Sequence, residues 1–414
     1  MKYDTVLNES SPILSFQPFS QIQTTLTDSL DYKQSLSIYV HIPYCRMRCF
    51  FCSINTCQVF SDGDLEKYVQ AVIREIHSYN HIFNSSIVRC IHFGGGTPSV
   101  MTEQQLDCIF NAFRKCIEDY NDIEIVFEAH PLSLTVPKLE LLSSYGNVSV
   151  NLGVQTFDTQ ILHKINRGYD YQSIHDFLDH VTKMNFRGLG IDLICNLPGS
   201  NLNTTIQDIN TAHRLGIKHL ALYPLRVEHN CIFFEQYKKY EADFLEKSEQ
   251  AYILGEGHHR LNVLGYNHYS IYHFEIGDSN NYIYARDQIL GKNWIGLGAG
   301  AFGFYNNRTL VNDDNLDSYI QKSIEGISSI KQCETLNTIE TIKREFAYSL
   351  RSRLLTKAYY TKKYGCAIFE FFDSIWADLI RQGYASDLGD SYNLTVAGIL
   401  DLAKIQERIR NDYH

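Results

Sequence analysis

A chain of 414 residues is long enough to bury a full-sized core, and the length suits one large domain with smaller attachments. A formal net charge of -10 and the lack of any basic stretch argue against general nucleic-acid binding, and no apolar run is long enough to span a bilayer. Eleven cysteines without a disulfide framework, and no basic-then-apolar signal at the start, point to a reducing, cytoplasmic setting.

Residues 1–34 are rich in Ser, Thr and Gln without a sustained apolar period and read as a loosely structured arm. A β-like run over Leu36, Ile38 and Val40 leads into Cys45, Cys49 and Cys52, spaced C-x3-C-x2-C. The stripe Leu65, Tyr68, Val69, Val72, Ile73 and Ile76 predicts an amphipathic helix with Asp64 as its N-cap. Residues 89–93 are strand-like and run into Gly94-Gly95-Gly96-Thr97-Pro98, after which Thr102 and Gln105 have the spacing of a capping box. The alternation continues with strands over 123–128, 148–154, 189–195 and 219–223, and helices over 137–144, 171–184 and 203–215.

Strands alternating with helices imply parallel βαβ units with right-handed crossovers, so the expected class is α/β, a (βα)6 partial TIM barrel. Active sites of such folds lie at the carboxyl ends of the strands. The distinctive residues fall there: the cysteine loop after strand one, the glycine triplet after two, Glu128 at three, Gln155 after four, Asp192 and Asn196 at five, Tyr223 and Arg226 after six. Beyond Arg226, residues 233–264 read as a long helical segment, 266–276 as a strand-like aromatic run and 294–302 as a glycine-rich loop. From residue 334 onward, helices over 341–355 and 368–382, the stretch 384–394 and a last helix over 396–410 predict a C-terminal α+β, winged-helix-like cap. Acidic and without a basic face, it suits a lid better than a DNA reader. The expected division is an arm (1–34), a core with extension (35–305) and a cap (306–414).

Three thiolates from one short loop suit a [4Fe–4S] cluster with one iron left open, since a cubane otherwise takes four. A zinc site completed by His41 or Cys57, or three inert thiols, are the alternatives; a second C-x2-C pair, usual for structural zinc, is lacking. Taken alone, the glycine triplet reads as a turn, Glu128 as a surface carboxylate, and Gln155, Arg167 and Asp192 as a buried polar network. Tyr39, Phe51 and Phe302 are core aromatics by default. Arg226 either anchors a carboxylate by a bidentate pair or bridges to Glu228.

The cysteine spacing, with its lead-in Tyr39-x-His41-Ile42-Pro43-x-Cys45, resembles the radical S-adenosylmethionine (SAM) superfamily. Within it the pattern is similar to the oxygen-independent coproporphyrinogen III oxidase-like branch, which includes the oxidase, haem chaperones, and methyltransferases or cyclopropane-forming enzymes that use two SAM molecules. The resemblance runs from about Tyr39 to the C-terminus. It implies that Cys45, Cys49 and Cys52 hold the cluster and that SAM binds at the open iron. Gly95, Gly96 and Thr97 would receive its amino group and Glu128 its ribose, while Tyr39, Phe51 and Phe302 would pack near adenine. Gln155, Arg167, Asp192 and Arg226 would surround a second SAM. The implied function is reductive cleavage of SAM to a 5′-deoxyadenosyl radical, with electrons from a donor such as flavodoxin or ferredoxin. That radical would modify a small organic substrate, by methyl or methylene transfer or by porphyrinogen oxidation; the alternative is a haem chaperone that binds and delivers haem. The chain departs from the oxidase pattern at Cys52-Ser53-Ile54, where the oxidase has Cys-Gly-Cys, and at Arg226, where it has a small residue. Ser53 also misses the acid usual in chaperones.

Overall fold

The computed structural model describes residues 33–411 except 55, 59–61, 237–238, 240, 278–281 and 354, so the expected N-terminal arm lies outside the described residues except for its end. Six strands, β1 (Gln34–Ile42), β2 (Ser86–Gly95), β3 (Glu124–Ala129), β4 (Val148–Gln155), β5 (Gly188–Cys195) and β6 (His219–Pro224), pair in parallel in chain order. The longest helices between the strands are α1 (Asp62–Ser78), α2 (Glu103–Cys116), α3 (Val136–Ser144), α4 (Tyr171–Val181) and α5 (Leu202–Arg214). The two-residue period of the strands sorts the side chains. Ile38, Val40, Ile91, Phe93, Ile125 and Phe127 are buried in the main apolar core. The alternate residues His92, Glu128, Asn151 and Asp192 instead line the barrel lumen.

The helices form where the apolar stripes lie. α1 buries Leu65, Tyr68, Val69, Val72 and Ile76. It starts at Asp62, so Asp64 is not the N-cap; it sits inside the first turn, 3.7 Å from Lys67, where a negative charge complements the helix dipole. The α2 capping box forms: Thr102 Oγ1 accepts from the Gln105 amide at 3.2 Å and Gln105 Oε1 from the Thr102 amide at 3.0 Å.

Two later expectations need correction. Residues 233–264 are not one helix: a short turn of helix, Ile232–Glu235, is separated from α6 (Lys247–Val263) because Phe233 and Phe244 turn inward onto Ile161, Ile165 and Leu197. Nor is 294–302 a loop. Trp294 to Leu297 belong to β9 (Asn293–Leu297), which pairs in parallel with β1, and only 298–301 turn before the next strand. The aromatic run 266–276 is a hairpin of β7 (Asn267–His268) and β8 (His273–Glu275), with β8 antiparallel to β6. The sheet continues past β9 through β10 (Phe302–Tyr305), β11 (Arg308–Asn312) and β12 (Ile330–Thr335), making 12 strands. A division at 305/306 would cut the β10–β11 hairpin; one after Thr335 respects the sheet.

Helix α7 (Ile283–Ile289) closes the amino end of the barrel. Its first amides are met by Glu124, whose Oε1 accepts from Tyr282 N at 2.9 Å and Oε2 from Ile283 N at 2.8 Å. After α8 (Leu316–Glu325) and β12, the C-terminal part comprises α9 (Thr338–Ser349), α10 (Lys357–Tyr364), α11 (Cys366–Arg381), the hairpin β13 (Ala385–Asp387) and β14 (Tyr392–Leu394), and α12 (Val396–Leu400) and α13 (Leu402–Asn411). Among the described residues no helix is long and apolar enough to cross a membrane.

Candidate active site

The cysteine loop leaves β1 at the carboxyl rim and is pinned from two sides. Phe50 N donates to Ile165 O at 3.3 Å, and Phe233 N to Phe50 O at 2.9 Å. Within the loop, Cys52 N donates to Cys49 O at 3.2 Å. Burial pushes the Cys52 thiol up to about 11, and the neighbouring Cys49 and Cys45 charges push the same way. Three mutually opposed thiolates ionise together only beside a positive centre. Among the described residues no three Cys, His, Asp or Glu side chains converge on a single ion position. Three thiolates from one short loop have the donor chemistry of a cubane site, in which each thiolate binds its own iron. Of the residues that would complete a zinc site, Cys57 is exposed and His41 Nδ1 lies 3.0 Å from the Tyr39 hydroxyl.

The glycine triplet ends β2 directly beneath this loop. A Cβ on Gly96 would lie 2.7 Å from Tyr44 O and 2.8 Å from Ile42 O, so only glycine lets the two backbones approach. Thr97 Oγ1 lies 3.3 Å from Cys45 Sγ. The Tyr39 ring and the Glu128 carboxylate both press on Gly94, at 3.1 and 2.9 Å from where its Cβ would be. Glu128 Oε1 lies 2.8 Å from His92 Nε2, and the His92 ring stacks on Tyr284 with centroids 4.6 Å apart. Tyr39 and Glu128 thus converge on Gly94 at one end of the triplet, while Gly96 and Thr97 meet the Cys45 lead-in at the other.

Gln155 and Arg167 form a second group. The Arg167 guanidinium is buried and fully engaged: Nη1 donates to Cys49 Sγ at 3.1 Å, Nε to the Tyr169 hydroxyl at 3.2 Å, and Nη2 to Gly153 O. The amide of Gln155, at the end of β4, lies 2.8 Å from where a Gly153 Cβ would be. Arg167 therefore touches a cysteine of the loop, a contact that its position 118 residues away does not advertise. Asp192 is not at a strand end but in the middle of β5, facing the lumen, where Asn151 Nδ2 donates to it at 3.0 Å. Burial raises its carboxyl to about 7, with the Glu128 charge adding and Asn151 opposing.

The three remaining predicted residues lie in different surroundings. Phe51 packs in the cluster of Ile161, Ile165 and Leu197, away from Tyr39. Phe302 joins Tyr39 in another cluster around Trp294 and Tyr284. Arg226 does not pair with Glu228; its Nη2 donates to the Tyr272 hydroxyl.

Several lumen residues carry no motif and were missed: His92, Asn151, His219, His273 and Tyr282 line one cavity with Glu128, Asp192 and the expected Tyr223. A Cβ added at Gly190 would meet the Tyr282 hydroxyl first and lie 2.7 Å from both Asn151 Oδ1 and His219 Nδ1. Neither of those buried atoms has a hydrogen-bond partner. The only signal available beforehand was a histidine or amide at alternate positions of otherwise apolar strands.

The radical SAM superfamily profile matches residues 39–212. The haem chaperone HemW of Bacillus subtilis (strain 168) is 26% identical over 88% of this chain and 96% of that protein. The oxygen-independent coproporphyrinogen III oxidase of Escherichia coli (strain K12) is 26% identical over 77% of this chain and 72% of its own. The solved structure of coproporphyrinogen III oxidase (HemN) from Escherichia coli superposes with a TM-score of 0.80 at 23% identity, covering 96% of this chain and 94% of that one, and shares the fold. Residues 39–212 thus match the radical SAM superfamily, and most of the chain is similar to the branch of HemN and HemW, whose fold it shares.

Proposed function

We propose that Cys45, Cys49 and Cys52 hold a [4Fe–4S] cluster and that the lumen beside it binds SAM and a polar organic substrate. When bound, such a cluster supplies one-electron reductive cleavage of SAM, the electron coming from a donor such as flavodoxin or ferredoxin. The observation that carries this reading is the close approach of Gly96 to the Cys45 lead-in, with Thr97 Oγ1 3.3 Å from Cys45 Sγ. It sets the Gly94–Thr97 backbone beside the cysteines, where an amino-acid ligand of the cluster would lie. Glu128 and Tyr39, converging on Gly94, offer a carboxylate and a ring to a nucleoside. Arg167 holds the Cys49 sulfur and ties the loop to β4, so its role in this reading is to position the cluster loop. Gln155, Asp192 and Arg226 are assigned to a second SAM or to substrate. Phe302 reaches the nucleoside only through Tyr39, and Phe51 supports the loop by packing.

The polar lumen, with Asn151 Oδ1 and His219 Nδ1 unpaired, favours transformation of a polar substrate over storage of an apolar macrocycle. A second reading, haem delivery, is favoured by one observation: the alignment spans 96% of the Bacillus subtilis haem chaperone. Anaerobic reconstitution is expected to give about four irons per chain, lost in a triple Cys→Ala variant. Reduced, cluster-loaded protein should then release 5′-deoxyadenosine from SAM, with S-adenosylhomocysteine if methyl transfer follows or CO2 if coproporphyrinogen is oxidised. Stoichiometric haem binding without SAM turnover would replace the enzyme reading by delivery.

A further inference from the structure

The sector of the rim beyond β6 is built jointly by the barrel and the C-terminal part. β8 runs antiparallel to β6, with His273 opposite Ala221 and Leu222 N donating to Tyr272 O at 2.8 Å, so the β7–β8 turn lies at the catalytic end of β6. Residues 351–353, just after α9, dock on that turn. Ile271 N donates to Arg351 O at 2.9 Å, Arg353 N to Tyr269 O at 3.3 Å, and Ser270 bridges Ser352. A segment distant in sequence thereby delivers Arg351 to the same turn that Arg226 reaches from β6.

The two arginines approach this turn from different elements. Arg226 donates to the Tyr272 hydroxyl, with Cζ 5.7 Å from the ring centroid. Arg351 is held by its own helix end: Nε donates to Tyr348 O at 3.4 Å and Cζ lies 4.8 Å from the Tyr348 ring. Its Nη2 is buried and has no acceptor. Both cations act on the Tyr272 hydroxyl, and Arg351 also acts on His273, which lines the lumen. Among the described residues neither arginine is paired with a carboxylate. Two cations brought to one turn, one with an orphaned buried donor, are completed by an anion; a carboxylate matches the planar fork.

We propose that Arg226 and Arg351 form a carboxylate-binding subsite at the β6 sector of the rim, with the second arginine supplied by the C-terminal part of the chain. The subsite rests on the reading that the lumen is the ligand site. The carboxylate belongs either to a second SAM or to the organic substrate, and both have the chemistry the fork requires.

The test uses full-length, anaerobically reconstituted wild-type, R351Q, R226Q and R351K proteins. Affinities are measured for SAM, for decarboxylated SAM and for coproporphyrin III, a tetracarboxylate. R351Q is expected to weaken one of the two carboxylate probes by about tenfold. R351K should lose less, and decarboxylated SAM should bind all four proteins equally. A loss confined to SAM assigns the subsite to a second SAM; a loss confined to the porphyrin assigns it to substrate. If R351Q fails to fold, R226Q carries the same comparison. A folded variant that binds both carboxylate probes as tightly as wild type overturns the subsite, as does wild-type protein that binds neither. Iron content and 5′-deoxyadenosine release, read on the same samples, report separately on the functional reading.

Discussion

The floor and the lumen of the barrel are both polar and both buried, yet their polar groups are treated in opposite ways. On the floor every carboxylate oxygen is satisfied. Asp287 Oδ1 accepts from Arg89 at 2.7 Å and Lys292 at 2.9 Å, and Oδ2 from Ser37 at 2.9 Å. Glu124 accepts from Ser149 at 2.7 Å as well as from the two amides that open α7. In the lumen above, Asn151 Oδ1 and His219 Nδ1 are orphaned, and Asp192 has its carboxyl raised to about 7 by burial. Saturated polar groups hold architecture in place; unsaturated ones at the same depth keep hydrogen-bonding capacity that a ligand could use.

The contrast can be broken by substitution. Asp287→Ala leaves Arg89 and Lys292 without their buried partner and is expected to cost about 3 kcal/mol in urea unfolding, the low end for such pairs because Arg89 is partly exposed. Asp192→Asn, which keeps an acceptor for Asn151, should cost less than about 1 kcal/mol. Equal losses would erase the distinction. Gly190→Ala drives a methyl group against Asn151 and His219 and should cost about 1–3 kcal/mol; an unchanged midpoint would mean the notch is loose.

Smaller effects sharpen the picture nearer the cysteines. Arg167→Lys cannot reach Cys49, Tyr169 and Gly153 at once, so the reconstituted cluster should lose iron to a chelator about tenfold faster. Retention equal to wild type would make Arg167 a purely structural buried cation. The smallest effect concerns pH. The Asp192 carboxyl is raised to about 7, so its charged form, the one that attracts a cationic ligand, fills in only as pH rises through that value. Glu128, His92 and Arg167 also act on it. SAM affinity should therefore strengthen severalfold from about pH 6 to about pH 8 and flatten in Asp192→Asn; a slope retained in the variant would assign the titration elsewhere.

Local chemistry made the six parallel strands legible, because Ile38, Val40, Ile91, Phe93, Ile125 and Phe127 repeat with the strand period and the intervening helices carry clean apolar stripes. The cysteine loop, the glycine triplet and the Thr102–Gln105 box were legible for the same reason: each acts over a few residues, so its spacing survives in the linear chain. Strand β9 was not. Trp294 to Leu297 form a strand only because β1 offers an open edge more than 250 residues earlier, and local composition with three nearby glycines reads as a loop. The helix expected over 233–264 failed because Phe233 and Phe244 gain more by turning inward than the chain gains by continuing the helix.

What the amino-acid order determined by itself was the strand–helix alternation and the groups at the strand ends, since both follow from short-range periodicity and turn chemistry. Tertiary structure alone decided that Arg167 grips Cys49, that Asn151, His219 and Gly190 share one corner, and that residues 226 and 351 reach the same turn. Those juxtapositions depend on barrel curvature and on the docking of 351–353 against the β7–β8 turn. Side chains that meet across such distances leave no period in the sequence, because the energy that joins them comes from packing and burial rather than from neighbours along the chain.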